Sequence, residues 1–372
     1  MLIGVPREIK PQEYRVGLTP EAVAELVRRG HSVLVETGAG DGIGAGDDAY
    51  RAAGAGMVAD PPAVFAADMV VKVKEPQPAE RQMMREGQVL FTYLHLAPDP
   101  DLTRDLVRTG AVCIAYETVT DARGGLPLLR PMSQVAGRMA VQVGASALER
   151  EHGGRGVLLG GVPGVAPARV VIIGGGVVGF NAAQMAIGLQ ADVTILERDL
   201  LVLERLSNQF GAAARVVYAN RATLDENLVS ASLVIGAVLI PGAAAPKLVT
   251  RAHLARMVPG AVLVDVSIDQ GGCCETSRPT THGSPTFVEE GIVHYCVPNM
   301  PGAVPHSSTY ALSNATLAHV LALADKGWRR ALRDDAHLRH GLNVCARRVT
   351  QPAVADALGY DLTPAENLLE GD

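Results

Sequence analysis

Aromatic side chains are almost missing from this chain: they make up 4% of its 372 residues, with a single tryptophan. A core built without large rings is filled by Val, Leu, Ile and Ala, which suits strands buried on both faces of a parallel sheet. Charge is scarce as well, at 19% against 48% hydrophobic residues and 40 glycines, which excludes a disordered chain and favours a compact α/β protein. The length suits two domains, each able to bury its own core. No Lys/Arg block and no aromatic-basic stripe occurs, and the net charge is −6, so neither nucleic acid nor an acidic membrane surface is an expected partner. The five cysteines, Cys113, Cys273, Cys274, Cys296 and Cys345, are odd in number and lack CxxC spacing. That argues against a disulfide framework and against zinc, and no metal site is expected. A reducing cytoplasm is the default setting. Cys273 and Cys274 follow an acidic strand end, but buried thiols are the weightier reading.

The opening MLIGVPREIK has no charged segment leading into a long apolar one, so it does not read as a secretion signal. The best membrane candidate is VVIIGGGVVGFNAAQMAIGL, residues 170–189, long enough to span and free of charge. Its three adjacent glycines, followed by Asn181 and Gln184, read instead as a strand, a tight turn and a helix.

Apolar runs LIGVP (2–6), SVLVE (32–36), DMVVKVK (68–74), QVLFTYL (88–94) and AVCIAYE (111–117) read as strands, separated by helix formers. One such helix is TPEAVAELVRRG, with Thr19 as cap, Pro20 at its first position and Gly30 as stop. Alternation of this kind implies a parallel sheet. SQVAGRMAVQVGASALERE (133–151) predicts a long helix capped by Ser133. A second alternation follows in ARVVIIG (168–174), DVTILE (192–197), SLVIGAVL (232–239), AVLVDV (261–266) and GIVHYCV (291–297). Another long helix is expected from about Ser307 to Asp325. The tail after about residue 330 has mixed propensities and says little.

Two segments compete for a phosphate-binding role. ETGAGDGIGAG (36–46) follows a strand and matches GxGxxA, but Asp47 and Asp48 at the next helix start would repel a pyrophosphate. It reads as a flexible glycine turn. VVIIGGGVVGFNAAQMAIGLQADVTILER is different: an apolar strand enters Gly174, Gly176 and Gly179, and no ionisable residue occurs up to Ala191. Gly174 serves the sharp turn, Gly176 lets the backbone approach a pyrophosphate, and Gly179 lets helix and sheet pack closely. The next strand ends in Glu197, whose carboxylate can accept both hydroxyls of an adenosine ribose and would repel a 2′-phosphate. NAD is therefore the expected cofactor, although Arg198 beside it is either a partial offset or a surface cation paired with Asp199 or Glu204.

The fold expected is α/β: two Rossmann-like doubly wound domains with mainly parallel sheets, joined by two long helices, with a cleft between them. Residues 1–128 plus 307–372 would form a substrate and catalytic domain, and residues 129–306 an inserted NAD-binding domain. Parallel sheets hold ligands at the carboxyl ends of their strands. Three polar residues stand at such ends in the first domain: Lys74, His95 and Glu117. Lys72 shares a face with Lys74 and is expected to reach solvent; Lys74 is either a ligand contact or a structural lysine. His95 carries an imidazole, a group able both to take and to return a proton. Arg15 offers a planar fork for a carboxylate, with a salt bridge to Glu8 or Glu13 as the competing reading. In VLVDVSIDQGGCC, Asp269 reads as chemistry at a strand tip and Asp265, nearer the packed body, as a structural acceptor.

The segments PREIKPQEYRVGLTP, VKVKEP, FTYLHLA, AYETV, LPLLRPMSQVAGRMAVQVGA, GGVPGV, IGGGVVGFNAA, IGAVLIPGAAAPKLV, VLVDVSIDQGGC, SRPTTH, YCVPNMPGAVP and STYALSNAT resemble, in order and at compatible spacing, the L-alanine dehydrogenases of the alanine dehydrogenase/pyridine nucleotide transhydrogenase family. The resemblance covers about residues 1–330 and fades after Trp328. It implies that Arg15 and Lys74 hold the substrate carboxylate, that His95 is the catalytic acid/base and that Asp269 is the second catalytic residue. It places the nicotinamide end against Val266, Ser267, Ile268, Val297, Pro298, Asn299 and Met300. Ser133, Val177, Val178, Glu197, Val238, Leu239 and Arg278 would line the rest of the cofactor. Members often have Asp where Glu197 stands here, and some have a basic residue in place of Val202. The activity implied is NAD-dependent, reversible oxidative deamination of L-alanine to pyruvate and ammonium by hydride transfer, in a cytoplasmic homo-hexamer. The alternatives are a soluble NAD-binding component of a transhydrogenase, for which the chain lacks a membrane segment, and a non-catalytic NAD-binding regulator.

Overall fold

A computed structural model describes residues 1–238 and 245–369. The chain forms two compact units, one of Met1–Met132 with Gly302–Asp372 and one of Ser133–Pro301. In chain order, the first unit supplies β1 (Leu2–Val5), β2 (Ser32–Glu36), β3 (Gly56–Val58), β4 (Met69–Val71), β5 (Val89–Thr92) and β6 (Val112–Ala115). The second supplies β7 (Arg169–Ile173), β8 (Asp192–Glu197), β9 (Arg215–Tyr218), β10 (Leu233–Gly236), β11 (Val262–Asp265), β12 (Thr286–Glu289) and β13 (Ile292–Tyr295). The first unit then closes with β14 (Leu342–Cys345) and β15 (Arg348–Val349).

The first sheet runs β3-β2-β1-β4-β5-β6, all parallel, and continues through β14 and β15 in antiparallel pairing. The second runs β9-β8-β7-β10-β11-β13, all parallel, with β12 antiparallel at its edge. Both orders are the doubly wound 3-2-1-4-5-6 arrangement, so each sheet has a switch point where strand order reverses: between β1 and β4 in one unit, between β7 and β10 in the other. β4, β5, β6, β10, β11 and β13 are buried at every residue, which is why they read as continuous apolar runs.

Several boundaries differ from the sequence expectation. The first long helix spans Arg130–Ala147, so Ser133 lies inside it and is not its cap. Pro131 sits in the first helical turn, where a missing N–H leaves no intrahelical bond unmade. The second long helix is Pro305–Lys326, again with proline in its first turn. The chain leaves the first unit inside helix Arg130–Ala147 and returns in the short 3₁₀ turn Met300–Ala303. The tail holds β14 and helix Pro352–Leu358, and its Val344, Val349 and Val354 join the core beneath β5 and β6.

The two glycine-rich segments separate clearly. Residues 170–189 form β7, a turn and helix Val177–Gly188, and no described helix is long and apolar enough to cross a membrane. The 36–46 segment is a packed turn and not a flexible one. A Cβ at Gly40 would lie 2.2 Å from the Ala45 carbonyl oxygen and 2.5 Å from the Tyr50 ring, and the Gly38 N–H donates to Asp47 at 2.9 Å. All five cysteines are buried free thiols. Burial raises the Cys273 thiol well above its ordinary value and the Cys274 thiol in the same direction, which keeps both protonated and inert.

Candidate functional site

At the switch point of the first sheet, the loop after β1 carries Arg15 and the segment after β4 carries Lys74. Arg15 is 2% exposed. Its guanidinium clasps Glu13 through Nε and Nη2, both at 2.6 Å, and Nη1 donates to the Met132 thioether at 3.0 Å. The salt bridge weighed as a competing role for Arg15 is therefore made, with Glu13 as partner. Burial alone would raise the Glu13 carboxyl, but its hydrogen bonds and charge interaction with Arg15 hold it at about 2. A fork gripped by an ionised carboxylate is fixed in orientation.

Lys74 is pushed below its ordinary value, first by burial and then by the charges of Arg15 and Lys10. A lysine whose charge is opposed by burial and by a neighbouring guanidinium suits an anionic ligand, since a carboxylate bound beside it would relieve both effects. Lys72 does not reach solvent: it is fully buried, with Nζ at 3.1 Å from Glu8 and 2.7 Å from Glu80. Burial opposes its charge, and the two carboxylates outweigh that and raise its pKa.

His95 follows β5 with φ at +50°, a left-handed backbone that non-glycine residues adopt rarely and that marks functional positions. Glu117, just past β6, holds it there. One Glu117 oxygen accepts the His95 N–H at 2.6 Å and the Leu94 N–H at 3.1 Å, and the same oxygen lies 3.9 Å from His95 Nδ1. The imidazole stacks against Tyr93, centroids 6.0 Å apart, while its side chain stays 48% exposed. Tyr93 is fixed in turn by donating to the Leu128 carbonyl at 2.6 Å. An exposed imidazole on a fixed backbone suits proton exchange with a ligand.

In the second unit the turn after β7 takes the shape its glycines allow. Gly174 has φ at +101°, and a Cβ on Gly179 would stand 1.8 Å from the Gly174 carbonyl oxygen. At Gly176 a Cβ would meet nothing among the described residues within 4 Å, and this residue caps helix Val177–Gly188 without a side-chain hydrogen bond from them. N–H groups at a helix start without such a cap fit a pyrophosphate. Glu197, the last residue of β8, accepts from the Gly175 N–H at 2.6 Å and from the Arg198 and Asp199 N–H groups at 2.6 and 3.0 Å. Asp199 caps the following helix through Leu201 and Val202, which leaves Arg198 exposed and not paired with it.

The two acids at and beyond the end of β11 differ in setting. Asp265 is 1% exposed and accepts from the N–H groups of Ser267, Cys273 and Cys274 and from the Ser277 hydroxyl, at 3.1, 2.8, 3.3 and 2.6 Å. Asp269 is exposed, in the 3₁₀ turn Val266–Gln270 beyond the strand, not at its tip. In that turn Ser267 donates to the Val238 carbonyl at 2.7 Å, tying the ends of β10 and β11 together, and Ile268 is buried. Val297 and Met300 are buried, Pro298 is partly so, and the Asn299 carbonyl accepts from His282 at 2.9 Å. Val177, Val178 and Ser133 are half-buried. Arg278 stacks over Phe287 at 4.0 Å. Leu239 lies outside the described residues.

Glu8, Glu13 and Glu117 are the groups that sequence reading left without a role at the site. Glu117 was visible as a polar strand end; Glu8 and Glu13 were visible only as partners for Arg15.

Comparison with known proteins fits this geometry. Models of the alanine dehydrogenase/PNT N-terminal and C-terminal domains match residues 4–136 and 140–352. The chain belongs to the alanine dehydrogenase/PNT family. A curated alanine dehydrogenase of Halomonas elongata is 56% identical over 99% of this chain and 100% of its own. That of Bacillus subtilis is 53% identical over 100% and 98%. A solved L-alanine dehydrogenase superposes with TM-score 0.94 at 52% identity, covering 96% of this chain and 99% of its own. A transhydrogenase from Sinorhizobium meliloti shares the fold, with TM-score 0.83 at 23% identity over 94% and 100% of the two chains. Similarity to the family thus runs on through the tail that the motifs alone left out.

Proposed function

We infer that the protein is an NAD-dependent L-alanine dehydrogenase, converting L-alanine reversibly to pyruvate and ammonium. The observation that carries this reading is full-length similarity to alanine dehydrogenases at 56 and 53% identity; the transhydrogenase likeness, at 23%, speaks for the fold alone. The buried Arg15 and half-buried Lys74 cations agree with a substrate that carries a carboxylate, and the glycine turn at Gly176 with Glu197 agrees with NAD.

Residues 129–306 act as the NAD-binding domain and residues 1–128 with 307–372 as the substrate domain. Arg15 and Lys74 neutralise and orient the alanine carboxylate, so that the α-carbon is presented in line for hydride loss. NAD supplies the hydride acceptor when bound. The Gly174, Gly176 and Gly179 turn holds the pyrophosphate on backbone N–H groups, and Glu197 takes the ribose hydroxyls. Ser133, Val177, Val178, Val238, Leu239 and Arg278 line the remainder of the nucleotide. Val266, Ser267, Ile268, Val297, Pro298, Asn299 and Met300 lie against the nicotinamide. From the neutral amine, loss of hydride leaves an iminium; His95 takes a proton from the attacking water as the carbinolamine forms and returns it to the amine, which leaves as ammonia and takes up the proton released by the carbinolamine hydroxyl. Asp269 hydrogen-bonds the water or the carbinolamine hydroxyl.

The enzyme works in the cytoplasm as a homo-hexamer, an assembly supported by the family resemblance and tested by light scattering on the eluting protein. Absorbance at 340 nm tests the activity. It rises when L-alanine and NAD are added to the purified protein and falls when pyruvate, ammonium and NADH are added; no change in either direction would overturn the reading.

A further inference from the structure

We propose that Glu8 is a positioning residue for Lys74, fixing the backbone from which the substrate-binding lysine projects. This rests on the reading of Lys74 as a carboxylate contact. The segment 72–74 lies past the end of β4, where β5 and the residue after it still hold the Lys72 N–H and the Val73 and Lys74 carbonyls, and the N–H groups of Val73 and Lys74 are held from another loop. One oxygen of Glu8 accepts the N–H of Val73 at 2.7 Å and the N–H of Lys74 at 3.3 Å. Its other oxygen accepts from Lys72 Nζ at 3.1 Å. A single carboxylate in the loop after β1 thus grips three consecutive residues of the segment after β4. A close approach of the same two loops is visible nearby, where a Cβ on Gly17 would lie 2.4 Å from the Val71 carbonyl oxygen.

A carboxylate buried this deeply needs compensation, and Lys72 supplies it. Lys72 Nζ also donates to Glu80 at 2.7 Å, and Glu80 accepts the Gln77 N–H at 2.6 Å. The two acids therefore differ in what they touch. Glu80 balances Lys72 and closes the short helix Pro78–Arg81. Of the two acids, Glu8 is the one that accepts the backbone N–H of Lys74, whose carbonyl accepts from the Thr92 hydroxyl at 2.9 Å. Removing the Glu8 charge is expected to disturb substrate binding, whereas removing the Glu80 charge is expected to cost stability only.

The test compares Glu8→Gln, Glu80→Gln and Lys74→Ala by steady-state kinetics of pyruvate reduction, with NADH affinity and melting measured alongside. A glutamine at position 8 places an amide NH₂ against either Lys72 or the two backbone N–H groups, whichever way it turns. Glu8→Gln is expected to raise KM for pyruvate by about tenfold or more while kcat falls by less and NADH binds as before. Glu80→Gln is expected to melt lower yet keep KM within about twofold of the unmodified enzyme. An unchanged KM in Glu8→Gln, or an equal rise in Glu80→Gln, would overturn the proposal. If Glu8→Gln does not fold, Glu8→Asp keeps the charge opposite Lys72 and shortens the arm; an unchanged KM in that variant overturns the proposal equally. A raised KM in Lys74→Ala beside an unchanged one in Glu8→Gln fails the positioning role alone. An unchanged KM in Lys74→Ala fails the carboxylate contact and the positioning role with it.

Discussion

The two sheets share one strand order and differ in the residues carried beyond their two central strands. After β1 and β4 come Arg15, Lys72 and Lys74; after β7 come three glycines and a stretch from 174 to 191 without an ionisable residue. On the proposed reading both switch points receive an anion, by opposite means. The carboxylate of a molecule as small as alanine would meet long cationic side chains, with the Arg15 fork clasped by Glu13 and the Lys74 backbone held by Glu8. The pyrophosphate of a large dinucleotide would meet the backbone itself, through N–H groups at a helix start. One topology therefore serves two ligands because the chemistry resides in a few residues beyond the strand ends.

Breaking the first sheet's chemistry should have the largest effect. His95→Ala is expected to lower turnover in both directions by about 10²- to 10⁴-fold, the range for a lost acid/base group, with NADH binding retained. Near-normal turnover in stopped assays of that variant would remove His95 from the mechanism.

Within the second unit, Asp269→Asn should lose about a hundredfold in turnover, because an amide lacks the negative charge that the proposed role needs. Asp265→Asn should remain active and melt lower, by about 1–3 kcal/mol of stability, since an amide cannot satisfy donors on both of its oxygens. Reversal of these two outcomes, in kinetics and calorimetry of the pair, would exchange the roles assigned to the two acids.

A smaller effect is expected at the ribose end. Glu197→Ala should weaken NADH by about tenfold, having lost a charged acceptor, and should narrow the preference over NADPH. Equal efficiency with NAD and NADP in the unmodified enzyme would show that Glu197 does not discriminate between them.

Distance along the chain decides how much of this is legible in the sequence. The turn at Gly174, its helix and Glu197 are contained within some thirty consecutive residues, so the strand, turn, helix and second strand read as one unit. The buried parallel strands are legible for a similar reason, as short apolar runs. Lys72 is misplaced by its pattern because alternation predicts a face but not what covers it, and its covering acids come from elsewhere, Glu8 from the loop after β1 and Glu80 from the short helix Pro78–Arg81. The Glu117 clamp on His95 joins the ends of two different strands, so neither residue alone announces it. β14 escapes notice because it pairs antiparallel with β6, more than two hundred residues earlier, and carries little pattern of its own. Ser133 resembles a cap only if Pro131 is a break, and proline is tolerated in a first helical turn.

The central claim is that the cation pair serves the substrate and the glycine turn serves the nucleotide. Fluorescence titration of NADH into Lys74→Ala and Gly176→Ala, side by side, tests it most directly. A methyl group at Gly176 meets no atom of the described residues within 4 Å, so this variant should fold and still obstruct the pyrophosphate. The account predicts that Lys74→Ala binds NADH like the unmodified enzyme and that Gly176→Ala binds it about tenfold or more weakly, the size of one lost charge-assisted hydrogen bond. Equal weakening in the two variants, or tight binding in Gly176→Ala, would contradict it.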